Sequence, residues 1–233
     1  MSNFSPDFEL YGQKINGEKK EKFAEFSALL KEFNKKYNLT AITDEKEIYY
    51  KHFLDSAAGE RWIKQGVRVT EIGSGAGFPS VPLKILRDDL SFTLIESTGK
   101  KCDFLRVVKE RLSLTGVEIV NGRAEEIARR EEYREKADVC LARAVARLNT
   151  LAEYCLPFVK KGGIFLSYKG EAAEEVAEAK RAVSLLGGGN VESYGYELPE
   201  GYGTRTLVRI EKIRNTPAAY PRGNGKERKN PLV

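Results

Sequence analysis

The stretch VRVTEIGSGAGFP, residues 67–79, predicts a buried strand followed by a tight glycine loop. A short apolar run bounded by glycines and followed by a helical pattern is typical of a strand–turn–helix unit. In doubly wound sheets, ligands bind beyond the carboxyl ends of the strands, where the first such turn provides a crevice. The stretch therefore indicates both an α/β fold and the place of a ligand site.

The same alternation continues through the rest of the chain. Short apolar runs, each followed by an amphipathic helical pattern, recur at 91–96, 117–121, 137–142 and 163–168. Alternating strands and helices predict a parallel sheet covered on both faces. Two further runs, 191–198 and 204–212, are joined by the short loop PEGYG and must therefore be antiparallel. We predict a seven-stranded, mostly parallel sheet with its last strand reversed.

The two ends of the chain differ from this central region. Apolar residues at helical spacing over 18–37, and a second helix after Asp44 with Glu47 as a capping box, predict a helical cap without strands over residues 1–60. Residues 61–214 are predicted to form the ligand-binding domain. From Asn215 the composition is rich in Pro, Gly and Lys, which predicts a basic tail over 215–233.

Charge and composition limit the classes of function. The net charge of +5 is carried entirely by residues 212–233, which favours a polyanionic partner or, equally, a solvated disordered tail. Three scattered cysteines and one histidine argue against a disulfide framework and a metal site. The N-terminus lacks a signal-peptide pattern, and no apolar stretch is long enough for a membrane span. We expect a soluble cytoplasmic protein with no metal and no membrane partner.

The spacing of the glycine loop narrows the choice of ligand. A dinucleotide loop has the pattern G-x-G-x-x-G, but here Phe78 stands where the third glycine is needed, and Gly73, Gly75 and Gly77 form G-x-G-x-G. Glu71 would sit poorly beside a pyrophosphate, whereas a ligand with an amino group and no phosphate would fit better. A plain tight turn remains the alternative explanation of the loop.

Glu96, at the end of the next predicted strand, supplies a second indication. An acid at this position can accept hydrogen bonds from both ribose hydroxyls of a nucleoside. Alternatively, it caps the helix that is predicted to start near Thr98. Together, the loop and the strand-end acid indicate S-adenosylmethionine, with a dinucleotide as the lesser option.

From about Tyr37 to Leu232 the chain resembles the bacterial RsmG (GidB) proteins. The resemblance rests on many motifs in the right order, namely NLTAI (38–42), KHFLDS (51–56), EIGSGAGFP (71–79), LIES (94–97), GRAEE (122–126), ARAVARL (142–148), YKG (168–170), RTLVRIEKIRNTPAAYPR (205–222) and KNPL (229–232). It implies the Rossmann-like class I methyltransferase fold and methyl transfer from S-adenosylmethionine to N7 of a guanine in 16S ribosomal RNA of the small subunit. A monomer is expected.

The resemblance also implies that Gly73, Phe78, Ala124, Glu125 and Arg143 bind the cofactor. Relatives often have Asp where this chain has Glu96, and the longer acid should still reach a ribose. With the glycine loop and the strand-end acid included, the expected cofactor contacts are Gly73, Gly75, Gly77, Phe78, Glu96, Ala124, Glu125 and Arg143.

The residue inventory permits methylation at guanine N7 without a general base. The N7 lone pair is available and carries no proton, so positioning alone can serve the reaction. Residues 142–145 lack the Asn/Asp-Pro-Pro-aromatic pattern of amine methylation, and Cys140 and Cys155 are predicted to be core residues rather than nucleophiles. His52 is interpreted as a structural residue that holds the cap on the sheet, with a catalytic role as the lesser alternative. We therefore expect no catalytic acid or base.

RNA contacts are expected from cations that follow predicted strands or, for Arg205 and Arg209, lie within the last strand, with an ordinary surface cation as the alternative for each. The candidates are Arg123, Arg147, Lys169, Arg205 and Arg209. Two other functions remain possible on the same fold: a nicotinamide-dependent oxidoreductase, which Phe78 opposes, and a nonenzymatic RNA-binding module, which the intact loop and Glu96 oppose.

Overall fold

The central sheet contains the seven predicted strands. The computed structural model describes residues 9–10, 13–15 and 17–233. Within this part, the strands of the central sheet are β1 (Arg68–Ile72), β2 (Ser91–Glu96), β3 (Val117–Asn121), β4 (Ala137–Arg143), β5 (Val159–Lys169), β6 (Gly188–Glu197) and β7 (Thr204–Lys212).

The order of the strands across the sheet is β3-β2-β1-β4-β5-β7-β6. Strands β1 to β5 pair in parallel, whereas β7 is antiparallel to both of its neighbours. The predicted sheet with one reversed strand is therefore confirmed. Because β1 lies at the centre, where the strand order reverses, the loop that follows it opens into a crevice.

Two helices of the cap pack on one face of the sheet. Helix α1 (Gly17–Tyr37) buries a stripe that includes Phe23, Phe26 and Leu30. The second helical segment, α2, spans residues 45–57 as an α-helical turn (Glu45–Ile48), a π-helical stretch (Tyr49–Leu54) and a last α-helical turn (Asp55–Ala57). Asp44 caps α2, since its carboxylate accepts the amide N–H of Glu47 at 3.0 Å.

The prediction of a cap without strands was wrong in one detail. A two-residue pair, Glu9–Leu10 with Gln13–Lys14, forms a short antiparallel ribbon before α1. It is too short to show an alternating pattern in the sequence. The remaining positions of the first sixteen residues, including most of the segment that lacks a signal-peptide pattern, lie outside the described residues.

The connecting helices follow the predicted alternation. They are α3 (Ser80–Leu86), α4 (Gly99–Arg111), α5 (Ala124–Ile127), α6 (Leu148–Cys155) and α7 (Ala173–Leu185). One buried cluster unites the cap with α3, α4 and one face of the sheet, and a second unites the other face with α6 and α7. Each face of the sheet is thus covered, as a mostly parallel sheet requires.

Residues 215–233 do not form a detached tail. The guanidinium of Arg222 binds the carboxylate of Glu153 on α6 at 2.8 Å, and the Glu153 side chain is 1% exposed. A short helix, α8 (Lys226–Lys229), follows, and Tyr220 and Leu232 pack on the second cluster. This segment shows no periodic pattern in the sequence because long-range contacts of single residues hold it in place.

In the part of the chain that the structure describes, no helix is long and apolar enough to cross a membrane. The boundary near residue 60 between the cap and the ligand-binding domain stays a prediction.

Candidate cofactor and RNA sites

The three glycines of the loop all have a left-handed backbone. Their φ angles are +69° at Gly73, +55° at Gly75 and +88° at Gly77, a region that glycine adopts without steric penalty. A Cβ atom on Gly73 would lie 2.7 Å from Cγ2 of Val145, and one on Gly77 would lie 2.6 Å from Cγ2 of Val81. Gly73 therefore lets the loop after β4 approach, and Gly77 lets α3 pack closely.

Glu96 ties the glycine loop to the start of α4. Its Oε2 accepts the amide N–H of Gly75 at 2.9 Å, and its Oε1 accepts the amide N–H of Thr98 at 2.7 Å. The hydrogen bond from Thr98, which directly precedes α4, agrees with the alternative interpretation that Glu96 caps this helix. Each carboxylate oxygen can accept a second hydrogen bond, so these contacts leave acceptor capacity for a ligand.

A cleft of about 390 Å³ lies at the carboxyl ends of β1 to β4. Of the predicted cofactor residues, Gly73, Ala124 and Glu125 line it, together with the predicted RNA contact Arg123. Gly75, Gly77, Phe78, Glu96 and Arg143 are not part of its lining. The residues that the sequence reasoning missed are Ile72, Ile95, Ser97, Gly122, Val145, Tyr154 and Arg228.

The missed residues differ in how far the sequence could have revealed them. Ile72 ends β1, Ile95 precedes the last residue of β2 and Gly122 follows β3, so their place at the strand ends was predictable, although none is an acid like Glu96. Tyr154 belongs to the middle of α6 and Arg228 to the C-terminal segment. No local pattern marks either of them as part of a site.

A second cavity, of about 620 Å³, lies on the other side of the loop that follows β4. Ala144 lines this cavity and its neighbour Val145 lines the first cleft, so one short loop separates the two. The wall carries four cationic side chains and one acidic side chain, namely Lys51, Arg143, Lys169, Arg205 and Asp55. Lys51 was not among the predicted residues.

Arg143 is held in a buried network between β4 and the cap. Its Nη1 donates to Oδ2 of Asp55 at 2.9 Å and to the carbonyl of Lys51 at 3.2 Å. Its Nη2 donates to Nδ1 of His52 at 2.6 Å. The Tyr196 hydroxyl donates to the other oxygen of Asp55 at 2.6 Å, so that β6 joins the same network.

His52 is a satisfied structural residue. Because a guanidinium only donates, Nδ1 of His52 is the acceptor toward Arg143, and the ring proton lies on Nε2. Nε2 then donates to the hydroxyl of Thr40 at 3.0 Å. Burial, together with the charge of Arg143, lowers the pKa of His52 to about 3. These contacts agree with the interpretation that this histidine holds the cap to the sheet, which stays a prediction.

Phe78 lies in the interface between the cap and the sheet rather than in the cleft. Its ring stacks on His52 with 4.3 Å between the centroids and packs against Phe26 at 5.2 Å. It is 7% exposed. The residue that breaks the dinucleotide pattern therefore anchors the glycine loop to α1 and α2.

The predicted RNA contacts are divided among several places in the structure. Lys169 is nearly buried, and its Nζ donates to the Ala146 carbonyl at 2.6 Å and to Glu175 at 2.7 Å. Arg147 pairs with Glu178 at 2.8 Å and Arg209 with Glu192 at 2.6 Å. Arg143, Lys169 and Arg205 share the second cavity, whereas Arg123 lines the first cleft.

Glu71 lies beneath the glycine loop and is fully buried. Within the described residues, neither oxygen of its carboxylate has a hydrogen-bond partner. Burial raises the pKa of Glu71 to about 8, so the group is protonated at neutral pH. The loop therefore rests on a neutral carboxyl group rather than on a charge.

Cys140 and Cys155 are buried free thiols, as predicted for core residues, and so is Cys102. Burial raises the pKa of the Cys155 thiol. Among the residues that the structure covers, no group of His, Cys, Asp and Glu is arranged to hold a metal ion.

A seven-stranded sheet with only β7 reversed and a glycine loop after β1 defines the class I fold of S-adenosylmethionine-dependent methyltransferases. Solved structures agree with this class. The chain is 15% identical to a SAM-dependent O-methyltransferase from Thermotoga maritima, with a TM-score of 0.52 and 81% of this chain and 73% of that chain covered. It is 17% identical to MtNAS in complex with MTA and tNA, with a TM-score of 0.55 and coverage of 83% and 71%.

Within this class, the chain belongs to the rRNA small subunit methyltransferase G family. The family model matches residues 19–197. Relatives named ribosomal RNA small subunit methyltransferase G are 47% identical in Brevibacillus brevis, over 95% of this chain and 94% of the relative, and 46% identical in Staphylococcus aureus, over 92% and 90%. This membership supports neither an oxidoreductase nor a nonenzymatic RNA-binding module.

Proposed function

We propose that this protein transfers a methyl group from S-adenosylmethionine to N7 of a guanine in 16S ribosomal RNA. The observation that carries the proposal is the family match over residues 19–197, which includes every strand end around the cleft. The resemblance of the motifs supplies the guanine N7 and the 16S RNA. A monomer in the cytoplasm stays our expectation.

The residues of the first cleft fit an adenosyl ligand. The cleft is formed by the carboxyl ends of the strands and by Gly73 of the glycine loop, which is where ligands bind in sheets of this type. Ile95 and Ser97, which flank Glu96, both belong to the lining, so the remaining acceptor positions of Glu96 suit ribose hydroxyls. We assign the cofactor to this cleft, with Ala124 and Glu125 on the wall that follows β3.

The acidic and basic groups near the cleft suit a reaction that needs no proton acceptor. His52 has a pKa of about 3 and its Nδ1 is occupied by Arg143, so it is a poor base. Glu71 is fully buried and cannot touch a substrate. When bound, S-adenosylmethionine supplies an electrophilic methyl group on a sulfonium. The protein then needs to align the guanine N7 lone pair with it, and such alignment contributes about 7–11 kcal/mol to catalysis.

The cationic second cavity suits the RNA. Lys51, Arg143, Lys169 and Arg205 give it an excess of positive charge, which attracts phosphates. Since only the loop at Ala144 and Val145 separates it from the cofactor cleft, a nucleotide held there lies next to the methyl donor. Arg147 and Arg209 do not line this cavity and are therefore expected to contribute less.

The test is methyl transfer by the purified full chain. Calorimetric titration with S-adenosylmethionine should show saturable binding, and isotope-labelled methyl groups should enter intact small subunits or bare 16S RNA. Nuclease digestion and mass spectrometry should then locate the label as N7-methylguanosine. Binding of a nicotinamide dinucleotide in place of S-adenosylmethionine, or RNA binding without affinity for the methyl donor, would overturn the proposal, as would label on any other atom.

A further inference from the structure

The C-terminal segment forms part of the wall of the cofactor cleft. Arg228 on α8 lines the cleft beside Tyr154 of α6. Its Nη2 donates to the carbonyl of Val145 at 3.4 Å. Val145 is the residue whose side chain fills the space left by Gly73. The segment therefore contacts the same loop that borders the glycine turn.

Several buried contacts hold this segment in place. Arg222 binds both oxygens of Glu153, with Nε–Oε1 and Nη2–Oε2 distances of 2.9 and 2.8 Å. The hydroxyl of Thr150 donates to the carbonyl of Glu227 at 3.0 Å, and Glu227 itself is fully buried and accepts the amide N–H of Gly223. A cation that follows directly on such an anchored residue is positioned in advance, so it loses little freedom when a ligand binds.

The guanidinium of Arg228 is also available to bind a ligand. Its side chain is exposed, and in the described part of the chain it forms no ion pair with a carboxylate. Ile95, Ala124 and Val145 supply apolar surface to the same cleft, which suits the flat ring of a heterocyclic base. A planar guanidinium at such a place can stack on an aromatic ring.

We propose that Arg228 contacts the adenine end of S-adenosylmethionine, which makes the C-terminal segment a component of the cofactor site. This inference rests on the proposed function, since it concerns the same cleft. Arg228 would thus bind the cofactor, whereas the cations of a basic tail were expected to bind RNA phosphates.

The test compares variants of two adjacent cations on α8. Arg228→Ala should raise the dissociation constant of S-adenosylmethionine about five- to tenfold, the loss expected for one stacked cation. Arg228→Lys, which keeps the charge but not the planar group, should recover only part of the affinity. Lys229→Ala removes the same charge one residue away, where the side chain does not line the cleft, and should bind as the wild type does.

Kinetic and RNA-binding measurements distinguish a role of Arg228 in cofactor binding from a role in RNA binding. With intact small subunits as substrate, Arg228→Ala should raise KM for S-adenosylmethionine with kcat little changed, and filter binding should give unaltered RNA affinity. Unchanged cofactor affinity in Arg228→Ala, or a loss confined to RNA affinity, would overturn the inference. If the wild-type chain itself failed to bind S-adenosylmethionine, the proposed function would fail, which is a distinct result.

Discussion

Glu96 serves two tasks with one carboxylate. It accepts amide N–H groups from the glycine loop and from the start of α4, so it fixes the relative position of two elements that form the cleft. Glu96 is buried and does not itself line the cleft, but its neighbours Ile95 and Ser97 do, and we propose that its remaining acceptor capacity serves the ribose. The residue therefore links local structure to ligand affinity, and its removal should affect both.

We expect Glu96→Ala to weaken binding of S-adenosylmethionine at least tenfold. A hydrogen bond to a charged group contributes about 1.5–3 kcal/mol, and the ribose would lose its acceptors. Calorimetric titration measures the affinity, and circular dichroism verifies that the variant is folded. Glu118→Ala, at the exposed middle of β3, provides a control acid outside the cleft. Wild-type affinity in Glu96→Ala would remove the ribose assignment.

Glu71 and His52 couple stability to pH in opposite directions. Folded Glu71 keeps its proton up to pH of about 8, whereas the unfolded chain loses it near its ordinary pKa of 4.5. Its contribution therefore falls as pH rises between these values. The pKa of His52 drops from 6.5 to about 3 on folding, so its contribution rises with pH over that range. The two effects oppose each other between pH 4.5 and 6.5.

Above pH 6.5 the contribution of Glu71 is no longer offset by His52. We expect the free energy of unfolding of the wild type to decrease by up to about 1.4 kcal/mol per pH unit from pH 6.5 to 7.5. Glu71→Gln should remove this decrease and leave a loss of stability below pH 6.5 from His52. Urea titrations at a series of pH values measure both, and equal slopes in the two proteins would contradict the assignment.

At the scale of elements, Asp55 joins α2 to the sheet. It accepts from Arg143 of β4 and from Tyr196 of β6, and all three residues are far apart in sequence. The Arg143 side chain is 15% exposed and the Asp55 side chain 6%. An ion pair buried to this degree is damaging to break, because the partner left behind is a charge without compensation.

Asp55→Asn should therefore lower the free energy of unfolding by about 3–5 kcal/mol. Methyl transfer should fall as well, because Arg143 loses the anchor that holds it at the second cavity. Asp103→Asn breaks the exposed pair with Arg106 and should change stability by less than about 1 kcal/mol. Denaturant unfolding of the wild type and the two variants measures these free energies. A loss of stability in Asp55→Asn as small as that in Asp103→Asn would show that Asp55 does not join α2 to the sheet.

Arg222 should prove a second such anchor, between the C-terminal segment and α6. Arg222→Gln leaves the Glu153 carboxylate buried without its cation, which should cost about 3–5 kcal/mol. The double variant Arg222→Gln/Glu153→Gln should recover part of this loss, since no charge is then stranded. Arg147→Gln, which breaks an exposed pair, is the matched control. Equal stability of the Arg222 and Arg147 variants would contradict the expectation.

The sequence predicted elements well where a repeating pattern defines them. The buried apolar runs of β1 to β5 and the loop of Gly73, Gly75 and Gly77 follow from local composition. The packing of the C-terminal segment does not, because Arg222 and Glu153 are 69 residues apart and neither belongs to a periodic pattern. Phe78 was expected at the cofactor but lies in an aromatic cluster whose other members come from the cap.

At the scale of the whole molecule, the two cavities are expected to bind different ligands, the first the methyl donor and the second the RNA. The first is bounded by strand ends and α8, and the second by cations from α2, β4, β5 and β7. The loop at Ala144 and Val145 separates the two cavities, so the methyl donor and the guanine would meet beside this loop. Specific RNA binding is therefore expected to depend on cations at this end of the sheet.

Arg205→Gln should reduce the salt dependence of RNA binding. If Arg205 neutralises one phosphate, the slope of log affinity against log salt should become shallower by about 0.7–0.9. Arg214→Gln removes the same charge beyond the opposite end of β7, where the side chain binds the Ser184 carbonyl. Filter binding over a range of salt concentrations measures both slopes, and identical slopes would exclude Arg205 from the phosphate contacts.

The packing of Arg228 at the cleft has a consequence for shortened variants. Residues 222–228 are held in place by contacts with α6, and they complete the wall of the cleft. A variant truncated before Arg222 should therefore have an incomplete pocket, although all seven strands of the sheet are present.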